Sequence, residues 1–427
     1  MTSSVQRPTR ARHAMLALVA IATALNYLDR TLLGVAAPAM SKELEIGPEV
    51  MGLVFAAFSW SYAIAQVPGG VFLDRFGTRM TYALALVGWS AFTVCQGFVR
   101  SSAALILVRL GLGVAEAPCF PANSRVLIAW FPRAERARAN SIYSVGMYFG
   151  IGFCSPLLFW MATNWGWRAL FWIVGGIGII FGILWYRLYR DPSEHPWVNE
   201  AELALIRADG GVTEKAEPRS FRWSDVSYLA RQRSLIGASI GQFATNSTLV
   251  FFLTWFPTYL ATERQMDWMK AGVYAMLPFI AASIGVLVGG QLSDRVLRSG
   301  RSLTFARKLP VVTGLLLSTV ITSAIWLESD AAVIAVMSIA FFGQGMSNLG
   351  WTLISELAPT KLAGLTGGLF NLCTNLAGII TPIVIGVTVG RTGSFYLGLV
   401  YVGAMAMLGV LSYVFVVNRA ERLPDPD

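Results

Sequence analysis

Apolar residues fall along the chain in blocks of about 20, separated by short polar stretches. A block of that length crosses a hydrocarbon core as a helix. Backbone polar groups in lipid must be satisfied internally, so helices are the expected element. The pattern predicts twelve of them, over 14–37, 49–72, 79–99, 102–127, 138–163, 168–189, 234–260, 269–293, 309–327, 331–354, 362–390 and 394–417. The short alternating segments of a membrane barrel are missing. The longest polar stretch, 190–233, opens with Asp191-Pro192 and carries a short helical pattern from Asn199 to Ala208. It divides the chain into a tail (1–13), a six-helix bundle (14–189), a linker (190–233), a second six-helix bundle (234–417) and a tail (418–427). The expected fold class is an all-α membrane protein with twelve transmembrane helices in two pseudo-symmetric six-helix bundles.

Composition supports this reading. The 427 residues are 55% hydrophobic and 13% charged, about half the charge of a typical soluble domain. The net charge of +9 invites a nucleic-acid reading, but its distribution argues against one. Six Lys and Arg (Lys42, Arg100, Arg168, Arg264, Lys270, Arg391) fall in one set of loops and three (Arg30, Arg109, Arg125) within spans, which leaves 24 of the 33 in the other loops and the tails. That bias places both termini in the cytoplasm by the positive-inside rule. The first apolar block is too long, and followed by too many others, for a cleavable signal. Cys95, Cys119, Cys154 and Cys373 all sit in apolar blocks and read as small core residues rather than disulfides or metal ligands.

The two halves share a signal. Gly70-Val-Phe-Leu-Asp74-Arg75-Phe-Gly77-Thr-Arg79 ends the second block, and Gly290-Gln-Leu-Ser-Asp294-Arg295 ends the eighth, at the same topological position. Internal repeats of this kind build many secondary transporters, with the substrate site near the bilayer midplane between the halves. The first of these loops resembles the signature of the major facilitator superfamily, and the second is a degenerate copy. Asn26-Tyr27-Leu28-Asp29-Arg30 resembles the anion:cation symporter family within it, as does Arg109-Leu-Gly-Leu-Gly-Val-Ala-Glu116-Ala-Pro118 followed by Phe120-Pro121-Ala-Asn123. That family includes bacterial galactonate, glucarate and hexuronate transporters and the sialin-like and vesicular glutamate carriers of animals. The resemblance covers essentially the whole chain. It implies the major facilitator fold and a bacterial inner-membrane protein moving a small organic anion with protons.

Charged residues inside spans are costly, by roughly 2.5–3.5 kcal/mol at the bilayer centre, and usually functional. Here they are confined to the first half. Asp29 and Arg30 lie about 100° apart around one helix and cannot aim at one target. Asn26 and Tyr27 lie four and three residues before Arg30, beside its guanidinium. Arg30 is the candidate for the substrate carboxylate, because its fork matches two oxygens. An alternative is that it only pairs with Asp29 or a neighbouring helix. Arg109 and Glu116 lie seven residues apart on nearly the same face, about 10.5 Å along the axis. Asp29 and Glu116 are the proton-coupling candidates with Arg109: apolar surroundings disfavour a carboxylate, and a nearby guanidinium favours it. The resemblance implies coupling at these positions, and a static ion-pair network is the plainer alternative. Which carboxylate carries the proton stays open.

The second half offers amides and an indole for hydroxyl groups: Gln242, Trp351 and Asn371, with Asn246, Gln344, Asn348 and Asn375 at helical spacing nearby. Interhelical hydrogen bonding is the plainer reading of such residues. Tyr62 is a further cavity donor. Asp74, Arg75, Arg79 and Asp294 are assigned to gating, since the resemblance implies that this loop latches the two halves. Gly237-Ala-Ser239-Ile-Gly241 fits a hydrolase elbow but lacks its strand-turn-helix context. Asn246-Ser-Thr248 fits a glycosylation acceptor but lies within a span. No metal cluster, cofactor motif or nucleotide-binding loop appears, so the chain is not expected to be an enzyme or a nucleotide-driven pump. The expected function is proton symport of a sugar acid (a hexonate, hexuronate or aldarate) by alternating access, without cofactor, by a monomer in lipid. An organophosphate:phosphate antiporter, a carrier of aromatic or hydroxy acids, and sodium coupling remain alternatives.

Overall fold

The structure, a computed structural model, describes residues 7–208, 222–359, 362–418 and 421–425. Parts of the expected tails and of the 190–233 linker therefore lie outside the described residues. Those described form helices and short connections, without strands. Among the described residues, ten helices are long and apolar enough to cross a membrane.

The first helices are α1 (Ala11–Leu44), α2 (Pro48–Gln96), α3 (Ser102–Glu116), α4 (Cys119–Trp130), α5 (Arg133–Trp165) and α6 (Trp167–Leu188). The 49 residues of α2 would reach roughly 74 Å if straight, more than two bilayer crossings, but Gly77 interrupts it at φ 74°, ψ 170°. That left-handed φ is open to glycine at little cost, and it marks the turn expected between the second and third spans. Short helices follow in the linker: α7 (Glu200–Ala208) and α8 (Trp223–Ala230). Asn199 starts α7 by accepting from the Glu202 amide at 2.9 Å, as a good N-cap residue does. The rest of the chain forms α9 (Arg233–Thr254), the turn α10 (Phe256–Thr258), α11 (Trp268–Arg298), α12 (Leu303–Ser318), α13 (Asp330–Ser347), α14 (Gly350–Leu357), α15 (Ala363–Thr392) and α16 (Tyr396–Leu411). A π-turn, Ser412–Val416, ends the last span.

Two spans are broken. The fourth divides after Glu116, because Pro118 has no N–H to continue the helix; Pro118 instead caps α4 at φ −70°, ψ −12°. The tenth divides at Asn348–Leu349, where the backbone tightens to three-residue bonds, Asn348 N to Gly345 O and Trp351 N to Asn348 O, each 3.3 Å. Broken helices of this kind mark binding sites in transporters.

Contacts divide the chain into two compact units: residues 1–30, 60–150 and 168–219, and residues 31–59, 151–167 and 220–427. The boundaries fall within α1, α2 and α5, at the start of α6 and in the 190–233 stretch. In the first unit, α7 is docked by Glu202, fully buried, which accepts from the backbone amides of Ala11 (3.2 Å) and Arg12 (3.3 Å) and from Arg12 Nη1 (3.0 Å) and Thr9 Oγ1. In the second unit, glycines bring helices to backbone contact. A Cβ at Gly34 would lie 2.4 Å from Leu253 O, one at Gly52 2.6 Å from Pro382 O, and one at Gly345 2.1 Å from Ala282 O. Small residues are the usual means of close helix approach in lipid, where apolar contact alone gives no drive.

Candidate substrate and proton-coupling site

The charged residues of the first unit form one constellation. The Arg30 guanidinium donates through Nε to Glu116 Oε1 at 2.9 Å and also through Nη2 to the same oxygen. It lies 5.0 Å from the Tyr27 ring centre and 5.2 Å from that of Tyr62. Two rings in that range favour a cation electrostatically, more strongly once water is excluded. Tyr27 is held edge-on by Phe120 at 6.2 Å. Glu116 is the last residue of α3, so the break that follows it places a fully buried carboxylate at a helix end.

Arg30 therefore pairs with Glu116 of a neighbouring span, and Asp29 points elsewhere, beside Trp89 and Thr93 of α2. Arg109, also buried, is within electrostatic reach of both Glu116 and Arg30. Several polar atoms here are buried with no hydrogen-bond partner among the described residues: both amide atoms of Asn26, Asp29 Oδ1 and Glu116 Oε2. Unpaired buried polar atoms cost free energy, so the cluster is suited to a polar ligand or a proton. Asn123, from the quoted motif, acts structurally. It accepts from Tyr82 Oη at 2.7 Å and donates to Thr23 Oγ1 at 3.3 Å, tying α4 to α1 and α2.

In the second unit, Gln242 is buried on α9 with its Oε1 unpaired. Trp351 is exposed on α14, edge-on to Phe370 at 4.8 Å. Asn371 lies on α15, where its carbonyl accepts from Asn375 Nδ2 at 2.9 Å. Asn246 is committed to a helix-helix bond, Nδ2 to Thr374 O at 2.7 Å. A cavity of about 440 Å³ in this unit is lined by Ser41, Trp255, Thr258 and Phe395 with Glu263 as its only charge, which disfavours an anion there.

The gating candidates also find partners. Asp74 is exposed and pairs with Arg125 at 3.1 Å; Arg79 donates to Tyr186 O at 2.8 Å and lies 4.3 Å from that ring centre. Arg75 lies over Phe76 at 5.5 Å. In the second unit Asp294 lies 3.7 Å from Arg307, which also holds Glu356 at 2.8 Å and donates to Ser293 Oγ at 2.9 Å. The sequence reading missed Arg307: it starts the ninth span at residue 309, whereas α12 begins at Leu303.

A buried ion pair at a helix break among long apolar helices fits a membrane transporter. The model of the Major Facilitator Superfamily matches residues 19–382, and the chain belongs to that family. It is 41% identical to a probable galactarate/D-glucarate transporter of Escherichia coli strain K12, over 99% of this chain and 96% of that one. It is 42% identical to a D-galactonate transporter of Escherichia coli O6:H1, over 98% of each. Among solved structures, it is similar in fold to a nucleoside transporter (TM-score 0.71, 12% identity, 96% of this chain and 100% of that one). It is also similar to a bacterial homologue of the human lysosomal transporter Spinster (TM-score 0.70, 19% identity, 96% and 95%). The protein is a multi-pass membrane transporter of that family.

Proposed function

We propose that the protein imports a sugar acid, a hexonate or aldarate of the galactonate or glucarate kind, by proton symport. The observation that carries this reading is the Arg30–Glu116 pair between Tyr27 and Tyr62. Two N–H groups of the Arg30 fork already donate to one oxygen of Glu116. A substrate carboxylate offers two acceptor oxygens and must compete with Glu116 for the same N–H donors. Protonation of Glu116 removes the competitor, so proton and anion binding favour each other. Asp29 and Arg109 set the charge around that exchange. Asn26 and Tyr62 bind the same end of the substrate, and Gln242, Trp351 and Asn371 take its hydroxyls. The transported identity is supported by the names of the relatives, at about 40% identity over nearly the full chain.

The wider architecture follows the same proposal: twelve spans in two six-helix bundles, both termini in the cytoplasm, in a bacterial inner membrane, with alternating access driven by the proton gradient. Asp74, Arg75, Arg79 and Asp294 gate the cycle. Uptake in proteoliposomes under an imposed pH gradient tests the reading, with a panel of labelled sugar acids, aromatic acids and glycerol phosphate. Accumulation of a sugar acid that a protonophore abolishes is the expected result. Exchange of phosphate esters without pH dependence would refute it.

A further inference from the structure

Two buried oxygens from different spans converge on one glycine. A Cβ at Gly350 would lie 2.6 Å from Gln242 Oε1 and 3.1 Å from Tyr413 Oη. Neither oxygen has a hydrogen-bond partner among the described residues, although Gln242 is 4% exposed and Tyr413 is 0%. Phenylalanine would fill the space of Tyr413 without burying a hydroxyl, so the unpaired Oη is unfavourable unless something bridges it.

The surroundings are shaped for this convergence. Gly241 precedes Gln242, and its missing Cβ would meet the Tyr413 ring at 2.1 Å. Gly350 opens α14 directly after the break in the tenth span. Tyr413 sits in the π-turn that ends the twelfth, a geometry that recurs at functional sites. Ser412 Oγ donates to Gly237 O at 2.8 Å, and Thr245 Oγ1 donates to Ser347 Oγ at 3.2 Å, so the walls are pinned to one another.

We infer that the niche over Gly350 binds one hydroxyl group, which donates to Gln242 Oε1 and accepts from Tyr413 Oη. A hydroxyl can donate and accept at once, so the bridge also forms with the Gln242 amide turned the other way. Tyr413 is then a positioning residue: it holds, through that hydroxyl, the amide assigned above to the substrate. The inference rests on the sugar-acid reading. The hydroxyl belongs either to the substrate or to an ordered water, and the chemistry at the niche is the same.

The test is uptake of D-galactonate or D-glucarate, whichever the wild type accumulates, together with analogues lacking one hydroxyl each. Tyr413→Phe is expected to raise KM by roughly tenfold, with the maximal rate and the melting temperature little changed. Gly350→Ala, whose methyl would press on Gln242 Oε1 at 2.6 Å, should do the same. A substrate hydroxyl in the niche makes one deoxy analogue insensitive to Tyr413→Phe. A water makes the KM penalty equal for every analogue. An unchanged KM in Tyr413→Phe, or a lower rate and melting temperature at constant KM, would overturn the inference whether or not Gly350→Ala folds. Absence of sugar-acid uptake by the wild type would instead sink the function and the niche together.

Discussion

Glu116→Gln separates the two roles that the Arg30–Glu116 pair combines. Glu116 is fully buried and accepts two donors from Arg30, so a substrate carboxylate must displace it. Hydrogen bonds to charged groups contribute about 1.5–3 kcal/mol each. A glutamine oxygen still accepts but without charge, at about half that strength. Two bonds, each weaker by about 1 kcal/mol, ease the competition by about 2 kcal/mol, or roughly 30-fold in affinity. The Arg30 side chain is 19% exposed, so some screening applies and a gain of about 10- to 30-fold is expected. The sign with pH follows. Wild-type affinity should fall as pH rises, because deprotonated Glu116 competes for Arg30, and Glu116→Gln should bind equally well at pH 6 and pH 8. Substrate titration by intrinsic fluorescence at those two pH values, with counterflow and pH-driven uptake in proteoliposomes, reads all three quantities. Tighter, pH-independent binding with counterflow retained and accumulation lost is the expected set. An unchanged affinity with accumulation still driven by the pH gradient would refute the competition and make the pair structural.

Four other outcomes are expected. Arg30→Lys keeps the charge but loses the fork, so substrate affinity should fall at least tenfold, and Arg30→Ala should abolish binding in the same titration. Gly34→Ala places a Cβ against Leu253 O and should lower stability by about 1–3 kcal/mol and slow uptake. Gly47→Ala, with nothing within 4 Å of its Cβ, is the control that should match the wild type in melting temperature and rate. Glu202→Ala strips the acceptor from the start of α1 and should cost about 2–4 kcal/mol, seen as a lower melting temperature and faster trypsin cleavage at Arg207. His195 is buried against Trp130 and Trp197, its Nδ1 accepting from the Trp197 amide, and burial lowers its pKa from the ordinary 6.5. A depressed histidine pKa gives stability that is complete above pH 6.5 and lost as pH falls through that value. The melting temperature of the wild type should therefore drop more between pH 7.5 and 5.5 than that of His195→Gln.

The sequence by itself determined that this chain lives in a membrane and carries its chemistry in a few buried charges. Blocks of about 20 apolar residues have no other low-energy solution than spanning helices, and a charge within such a block is conspicuous because it is costly. Asn199 as a helix start and Gly77 as the turn in α2 were readable for the same reason: amide caps and positive φ each act through their own backbone. The break behind Glu116 was not read, since the fourth span was expected as one helix over 102–127, although Pro118 carried the signal. Partners were not readable. The angle between Asp29 and Arg30 showed that they diverge, but only the packing of α1 on α3 made Glu116 the partner of Arg30, with Arg109 in electrostatic reach of both. Of the amides of the second half, the sequence reading singled out Gln242 and Asn371 without showing what any of them bonds. Tertiary contacts gave Asn246 to Thr374 and left Gln242 facing Tyr413 across Gly350, because where an amide hydrogen-bonds depends on which helix passes beside it. Helix spacing is a local property of one chain segment. Pairing is a property of two, and the sequence does not state the distance between them.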